Sequence, residues 1–98
     1  MSQNRDILCS ALELNKLRPE ADMSIEQYLM TSESMARQVD MMRPVLNGKK
    51  VLFLGDDDHL SVLFGKYLNV SPVVVEYDAR IRRSLRDNYA KNNINSYI

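Results

Sequence analysis

Two short apolar runs, V-L-F-L at 51–54 and V-V-V at 73–75, each break off into acid: G-D-D-D at 55–58 and E-Y-D at 76–78. Runs of this length without polar alternation are the mark of strands buried on both faces, as in a parallel sheet. Between them Leu60, Leu63, Phe64, Tyr67 and Leu68 recur at helical spacing. After the second run, Ala79 to about Lys91 predicts another helix, with Ile81, Leu85 and Tyr89 inward and Arg80, Arg82, Arg83 and Arg86 on a solvated face. Asn92-Asn93 ends it, and Ile94–Ile98 is expected to open a third strand. The order strand, helix, strand, helix, strand specifies a doubly wound α/β unit of Rossmann-like type. Two or three strands make half a usual sheet. The chain is therefore expected to be the front of a larger domain, with an incomplete sheet open to self-association.

A helical N-terminal segment, residues 1–47, precedes this unit at 48–98. Ile7, Leu8, Ala11, Leu12 and Leu14 predict a helix from Asp6 to Leu17, stopped by Arg18-Pro19. Pro19–Met23 is expected to be a linker, and Ser24 with Gln27 resembles a capping box opening a short turn. Thr31 or Ser32 caps a further helix with Glu33 in its first turn and Met35, Val39 and Met42 on its apolar face. Pro44 and Asn47-Gly48 are expected to close it.

Ninety-eight residues bound this to one small domain. Thirteen basic and thirteen acidic residues cancel, so the chain as a whole carries no electrostatic footprint for nucleic acid. The single cysteine, Cys9, excludes an internal disulfide and a multi-cysteine zinc site, and its amphipathic surroundings suggest a small buried hydrophobe. No signal-like N-terminus is present, and no apolar run approaches the roughly 20 residues of a membrane span. A cytoplasmic protein is expected, with no metal site.

In doubly wound sheets, ligands bind beyond the carboxyl ends of the strands. Both predicted strands bring acid there: Asp56, Asp57 and Asp58 from the first, Glu76 and Asp78 from the second. Glu76 follows Gly55 by 21 residues, a spacing that suits an acid accepting ribose hydroxyls. Phosphate is disfavoured, because Asp57 and His59 stand where a phosphate-cradling loop would carry further glycines. A carboxylate about 5 Å from a phosphate costs a few kcal/mol at intermediate dielectric. S-adenosylmethionine fits the signs: a ribose, no phosphate, a sulfonium and an ammonium. Its one carboxylate needs a donor, which the helix N-terminus at Thr31-Ser32 supplies in principle. Decarboxylated S-adenosylmethionine lacks that anion and fits better still.

The stretches E-Q-Y-L-M-T-S-E-S-M-A-R-Q (26–38), G-K-K-V-L-F-L-G-D-D-D-H-L-S (48–61) and V-V-V-E-Y-D-A-R-I (73–81) resemble the front half of class I S-adenosylmethionine-dependent methyltransferases. They are most similar to the branch with a G-D-D-D or G-D-G-D loop, which includes the branched-chain polyamine synthases related to bis(aminopropyl)spermidine synthase. The first stretch also resembles the motif before the cofactor loop in adenine-N6 methyltransferases. The resemblance implies a cofactor loop at Gly55–Asp57, a ribose ligand in Glu76 and an adenine neighbour in Tyr77. It further implies that Gln27, Tyr28 and Thr31 close over the methionine end. Phe53 departs from the acidic residue many methyltransferases carry there. No D/N-P-P-Y motif, which orients the nucleophilic amine in these branches, occurs in the chain. No catalytic residue is named on this basis, and both methyl and aminopropyl transfer to an amine stay open. The acceptor is a base, a protein side chain or a polyamine, and these residues alone are not expected to be a competent enzyme.

Simpler readings exist for each residue. The aspartates, Glu76 and Asp78 suit helix caps, His59 suits a solvated first-turn position, and the six methionines suit core packing. The arginine cluster suits a solvated face, or the phosphates of a nucleic-acid acceptor. From other classes, a magnesium-dependent receiver-like phosphoacceptor also ends an apolar strand in aspartates, and a non-catalytic binding module stays open.

Overall fold

The computed structural model describes residues 2–17, 19 and 30–95. Six elements follow in order: α1 (Ser2–Leu17), α2 (Ser32–Leu46), β1 (Lys50–Leu54), α3 (Leu60–Tyr67), β2 (Ser71–Val75) and α4 (Ala79–Lys91). The Ser24–Gln27 turn, the linker from position 20 onward, and Gln27 and Tyr28 lie outside the described residues.

β1 and β2 pair in parallel with Leu52 opposite Val73 and Leu54 opposite Val75. This is a small α/β fold with a two-stranded sheet, and the chain crosses from one strand to the next through α3. Strand alternation sends Val51, Phe53, Pro72 and Val74 to the inner face. There Phe53 meets Phe64 of α3 edge to face, with ring centroids 5.5 Å apart. Ile7, Ala11 and Leu14 of α1, Met35 and Val39 of α2, and Ile81, Leu85 and Tyr89 of α4 complete one continuous core around α3. Consecutive residues Ser61 to Phe64 are all buried, so the first half of α3 is enclosed on every side, while Lys66 reaches the surface.

Burial of both strand faces is not what the structure shows. Leu52 is 57% and Leu54 79% exposed, and Val75 is also exposed, because all four helices contribute to a single core on the inner face. Cys9 is likewise exposed rather than buried. At about 100° per residue it stands roughly opposite Ile7 and Ala11, which hold the inward stripe. Helix α2 runs through Pro44 to Leu46 and closes at Asn47, where Asn47-Gly48 is expected to end it. Proline there removes only the one hydrogen bond its nitrogen would have given, and the helix ends two residues later.

α4 ends where Asn92-Asn93 predicts. Asn93 takes a left-handed conformation (φ 56°), and the N–H groups of Ile94 and Asn93 return to the carbonyls of Tyr89 and Ala90. This is a Schellman closure with asparagine in the glycine position. Ile94 and Asn95 form no strand, and positions 96–98 lie outside the described residues. Ile94 instead packs beneath α3, where a Cβ on Gly65 would lie 2.8 Å from Ile94 Cγ2 and 3.3 Å from Pro72 Cγ. Gly65→Ala is expected to destabilise the chain by about 1 kcal/mol, since crowding of about 1–3 kcal/mol outweighs a helix-propensity gain of about 1 kcal/mol. Chemical denaturation checks this, and a stabilised variant would show that Ile94 yields freely. Among the described residues, no helix is long and apolar enough to cross a membrane.

Candidate ligand site at the strand tips

The site begins where β1 stops. Gly55 leaves the strand with φ 82°, in the left-handed region that favours glycine, while its N–H donates to the Val75 carbonyl at 2.7 Å. A Cβ here would meet only Glu76 Oε1, at 4.0 Å, so the requirement is conformational rather than spatial.

The three aspartates that follow are held differently. Asp56 is buried and turns inward. Both its carboxylate oxygens lie 3.3 Å from the Ser61 N–H in the first turn of α3, and the Ser61 hydroxyl also donates to Oδ2. Ser61 Oγ in turn bonds the Tyr89 hydroxyl on α4. Asp56 therefore caps α3 and anchors a buried chain of hydroxyls. Burial raises its pKa to about 7 from an ordinary 3.8, against the lowering effect of the Ser61 hydrogen bonds.

Asp58 reaches the other way. Its Oδ1 accepts the Met30 N–H at 2.5 Å, which fastens the chain entering α2 to the acidic loop. Thr31 thereby stands beside the loop as the N-cap of α2, its Oγ1 accepting the Ser34 N–H at 3.2 Å. Asp57 lies between the two with no ion pair among the described residues. Partial burial, then the neighbouring charges of Asp58 and Glu76, raise its pKa.

Glu76 joins the two tips. Its Oε1 accepts the Asp56 N–H at 2.7 Å and its Oε2 the Asp78 N–H at 2.9 Å. Asp78 caps α4 through the Arg80 N–H at 2.9 Å and pairs with the Arg80 guanidinium at 2.7 Å. Arg82 donates to the carbonyls of Glu76 and Tyr77 at 2.8 and 2.7 Å, fixing the β2–α4 turn. Tyr77 projects from that turn, 90% exposed.

Gly55, Asp56, Asp57, Asp58, Glu76 and Asp78 thus share one edge, with Tyr77 above it and Thr31 tied in through Met30 and Asp58. Tyr28 lies outside the described residues. Among those described, no three His, Cys, Asp or Glu side chains are grouped to hold a metal ion. Five participants were not legible beforehand. His59 is fully buried rather than solvated, bonded through Nε2 to Ser84 Oγ at 2.7 Å. Arg80 and Arg82 serve the loop rather than a bare cationic face. Ser61 and Tyr89 matter as partners of Asp56, and only the helical placement of Tyr89 on the inward stripe hinted at this.

Residues 6–96 match the family of the branched-chain polyamine synthase A C-terminal domain. Among solved structures, the chain is similar to the branched-chain polyamine synthase from Thermus thermophilus in complex with N4-aminopropylspermidine and 5′-methylthioadenosine. The two share 32% identity with a TM-score of 0.79, over 93% of this chain and 27% of that one. A C9 mutein of the same Thermus thermophilus protein, in the same complex, gives 32% identity and a TM-score of 0.77, over 94% of this chain and 28% of that one. The chain thus spans little more than a quarter of the length of either relative. No curated protein sequence matches it.

Proposed function

We propose, for a chain that belongs to the branched-chain polyamine synthase A C-terminal domain family, that its strand tips form part of a site for decarboxylated S-adenosylmethionine in an aminopropyltransferase. The frame is a class I methyltransferase-like Rossmann fold. Residues 48–98 supply its first strands and helices, and residues 1–47 a helical leader. The observation that carries the reading is the clamped acidic edge: Glu76 locks both tips, while Asp57, whose pKa is raised, has no ion pair among the described residues and stands beside Asp58. Like charges held together in this way lower their mutual repulsion by taking up a cation.

The residues fit that ligand class. Each Glu76 oxygen accepts one amide N–H and keeps a second lone pair, suited to ribose hydroxyls. The exposed Tyr77 ring offers an apolar face to an adenine. Asp57 and Asp58 attract the ammonium. Bound there, the ligand supplies an aminopropyl carbon that passes from sulfonium to an amine nitrogen, the C–S electron pair staying on sulfur in 5′-methylthioadenosine and the amine releasing a proton.

The intact carboxylate of S-adenosylmethionine suits this edge less well. At the start of α2, the Thr31 hydroxyl is bonded to Ser34, and the Ser32 hydroxyl accepts from Asn15 Nδ2 at 2.5 Å, turned into the fold. Glu33 and Asp58 flank the same helix end. An anion would meet two carboxylates at this helix end, which favours aminopropyl over methyl transfer. A polyamine acceptor fits the same negative field. The relative's complex contains such a molecule, N4-aminopropylspermidine. Phosphates of a nucleic acid fit poorly, because Arg80 and Arg82 are already committed to the loop.

Calorimetry with decarboxylated S-adenosylmethionine, S-adenosylmethionine and 5′-methylthioadenosine tests the reading. The decarboxylated form is expected to bind at least tenfold more tightly than the carboxylated one, a difference of about 1.4 kcal/mol. Its affinity is expected to fall as pH is lowered through the raised pKa of Asp57, because only the ionised carboxylate attracts the ammonium. The uncharged 5′-methylthioadenosine should change less. Equal binding of both cofactors would favour methyl transfer, and binding of none would remove the proposal.

A further inference from the structure

We infer that His59 and Ser84 form a positioning brace that fixes the orientation of Asp57 and Asp58 toward the bound cation, an inference that rests on the site proposed above. His59 occupies the N-cap position of α3, yet its side chain makes no capping hydrogen bond. Asp56 performs that task from three residues upstream, through Ser61. The imidazole is instead directed across the core. Its Nε2 lies 2.7 Å from Ser84 Oγ in the middle of α4, and its Nδ1 lies 3.4 Å from the Asp57 carbonyl oxygen.

A carbonyl oxygen only accepts, so in the neutral ring the proton belongs on Nδ1, and Nε2 accepts from the Ser84 hydroxyl. The ring then joins two elements: the Asp57 peptide on one side and α4 on the other. His59 also holds a left-handed backbone, φ 61° and ψ 28°, which is disfavoured for a side-chain-bearing residue. With the Asp56 carboxylate tied inward and the Asp57 carbonyl tied to the ring, the Asp57 peptide has no freedom to turn. The carboxylates of Asp57 and Asp58 therefore keep one presentation. An apolar residue of similar size would fill the same space without bridging two elements, so packing alone does not call for this pair.

Ser84→Ala removes the partner without touching the loop, and Ser84→Thr retains the hydroxyl. The alanine variant is expected to speed amide exchange at Asp56 and His59 about tenfold, the effect of one lost buried hydrogen bond, while Leu52 to Leu54 in the β ladder are unchanged. It should also move the His59 imidazole ¹⁵N resonances and weaken decarboxylated S-adenosylmethionine binding about tenfold, with threonine restoring all three. His59→Asn, which tolerates the left-handed backbone, should loosen the same amides whatever stands at position 84. Unchanged loop exchange in Ser84→Ala, or alanine and threonine behaving alike, overturns the brace. If the unmodified chain binds none of the nucleosides, the cofactor reading falls, and the exchange and imidazole measurements decide the brace by themselves.

Discussion

Glu76→Ala is expected to lower the unfolding free energy by roughly 2–3 kcal/mol and to weaken nucleoside binding at least tenfold. Two backbone amides, those of Asp56 and Asp78, lose a charged acceptor at once. A hydrogen bond to a charged group contributes about 1.5–3 kcal/mol, and the half-buried position lets water recover part of that. The binding loss has a separate origin, because each released amide frees one strand tip and the two tips no longer hold a common edge. Glu76→Gln separates the effects. Its one side-chain oxygen satisfies a single amide, so about half of the stability should return while the negative charge stays lost. Urea denaturation of the three proteins, with calorimetry on each, reads both quantities. A Glu76→Ala protein within about 0.5 kcal/mol of the parent, the range of an ordinary surface change, would show that the clamp does not bear on the fold.

The clamp also shows which parts of the site were legible in the sequence. The 21-residue spacing of Gly55 and Glu76 is visible because both residues end strands, and strand ends are marked by where apolar runs stop. The helices were equally visible, since α1, α2 and α4 carry their inward residues at three- and four-residue intervals, as Ile81, Leu85 and Tyr89 do on α4. What the pattern did not contain is which neighbour covers which face. Leu52 and Leu54 are as apolar as Val51 and Phe53, yet the helices of this chain pack only on the latter pair. His59 illustrates the same gap from the polar side. Its burial depends on Ser84, 25 residues away, and no local periodicity reports a partner at that distance. D-D-D is the sharpest instance. Three identical residues carry three roles, an inward cap in Asp56, a carboxylate among carboxylates in Asp57 and a tether to Met30 in Asp58, and tertiary contacts alone distinguish them.

Asp56 therefore yields a prediction of opposite sign to the usual helix cap. An ionised cap stabilises a helix start, so Asp56→Asn would ordinarily weaken the fold as pH rises. Here burial holds the folded-state pKa near 7 against an ordinary 3.8, so between those values the folded chain keeps a proton that the unfolded chain has released. Stability from this group is fully present below pH 4, declines as pH rises toward 7, and is level beyond. Asparagine imitates the protonated acid. Its oxygen accepts the Ser61 N–H, and its amide donates to Ser61 Oγ, which continues to Tyr89. The variant should match the parent near pH 4 and exceed it by a few kcal/mol at pH 8, because each pKa unit corresponds to about 1.4 kcal/mol. Denaturation curves at four or five pH values between these limits give the difference directly. A variant that loses ground steadily as pH rises would mean that the Asp56 carboxylate is ionised in the folded chain and acts as a charged cap. The hydroxyls of Ser61 and Tyr89 would then be solvating an anion rather than sharing its proton.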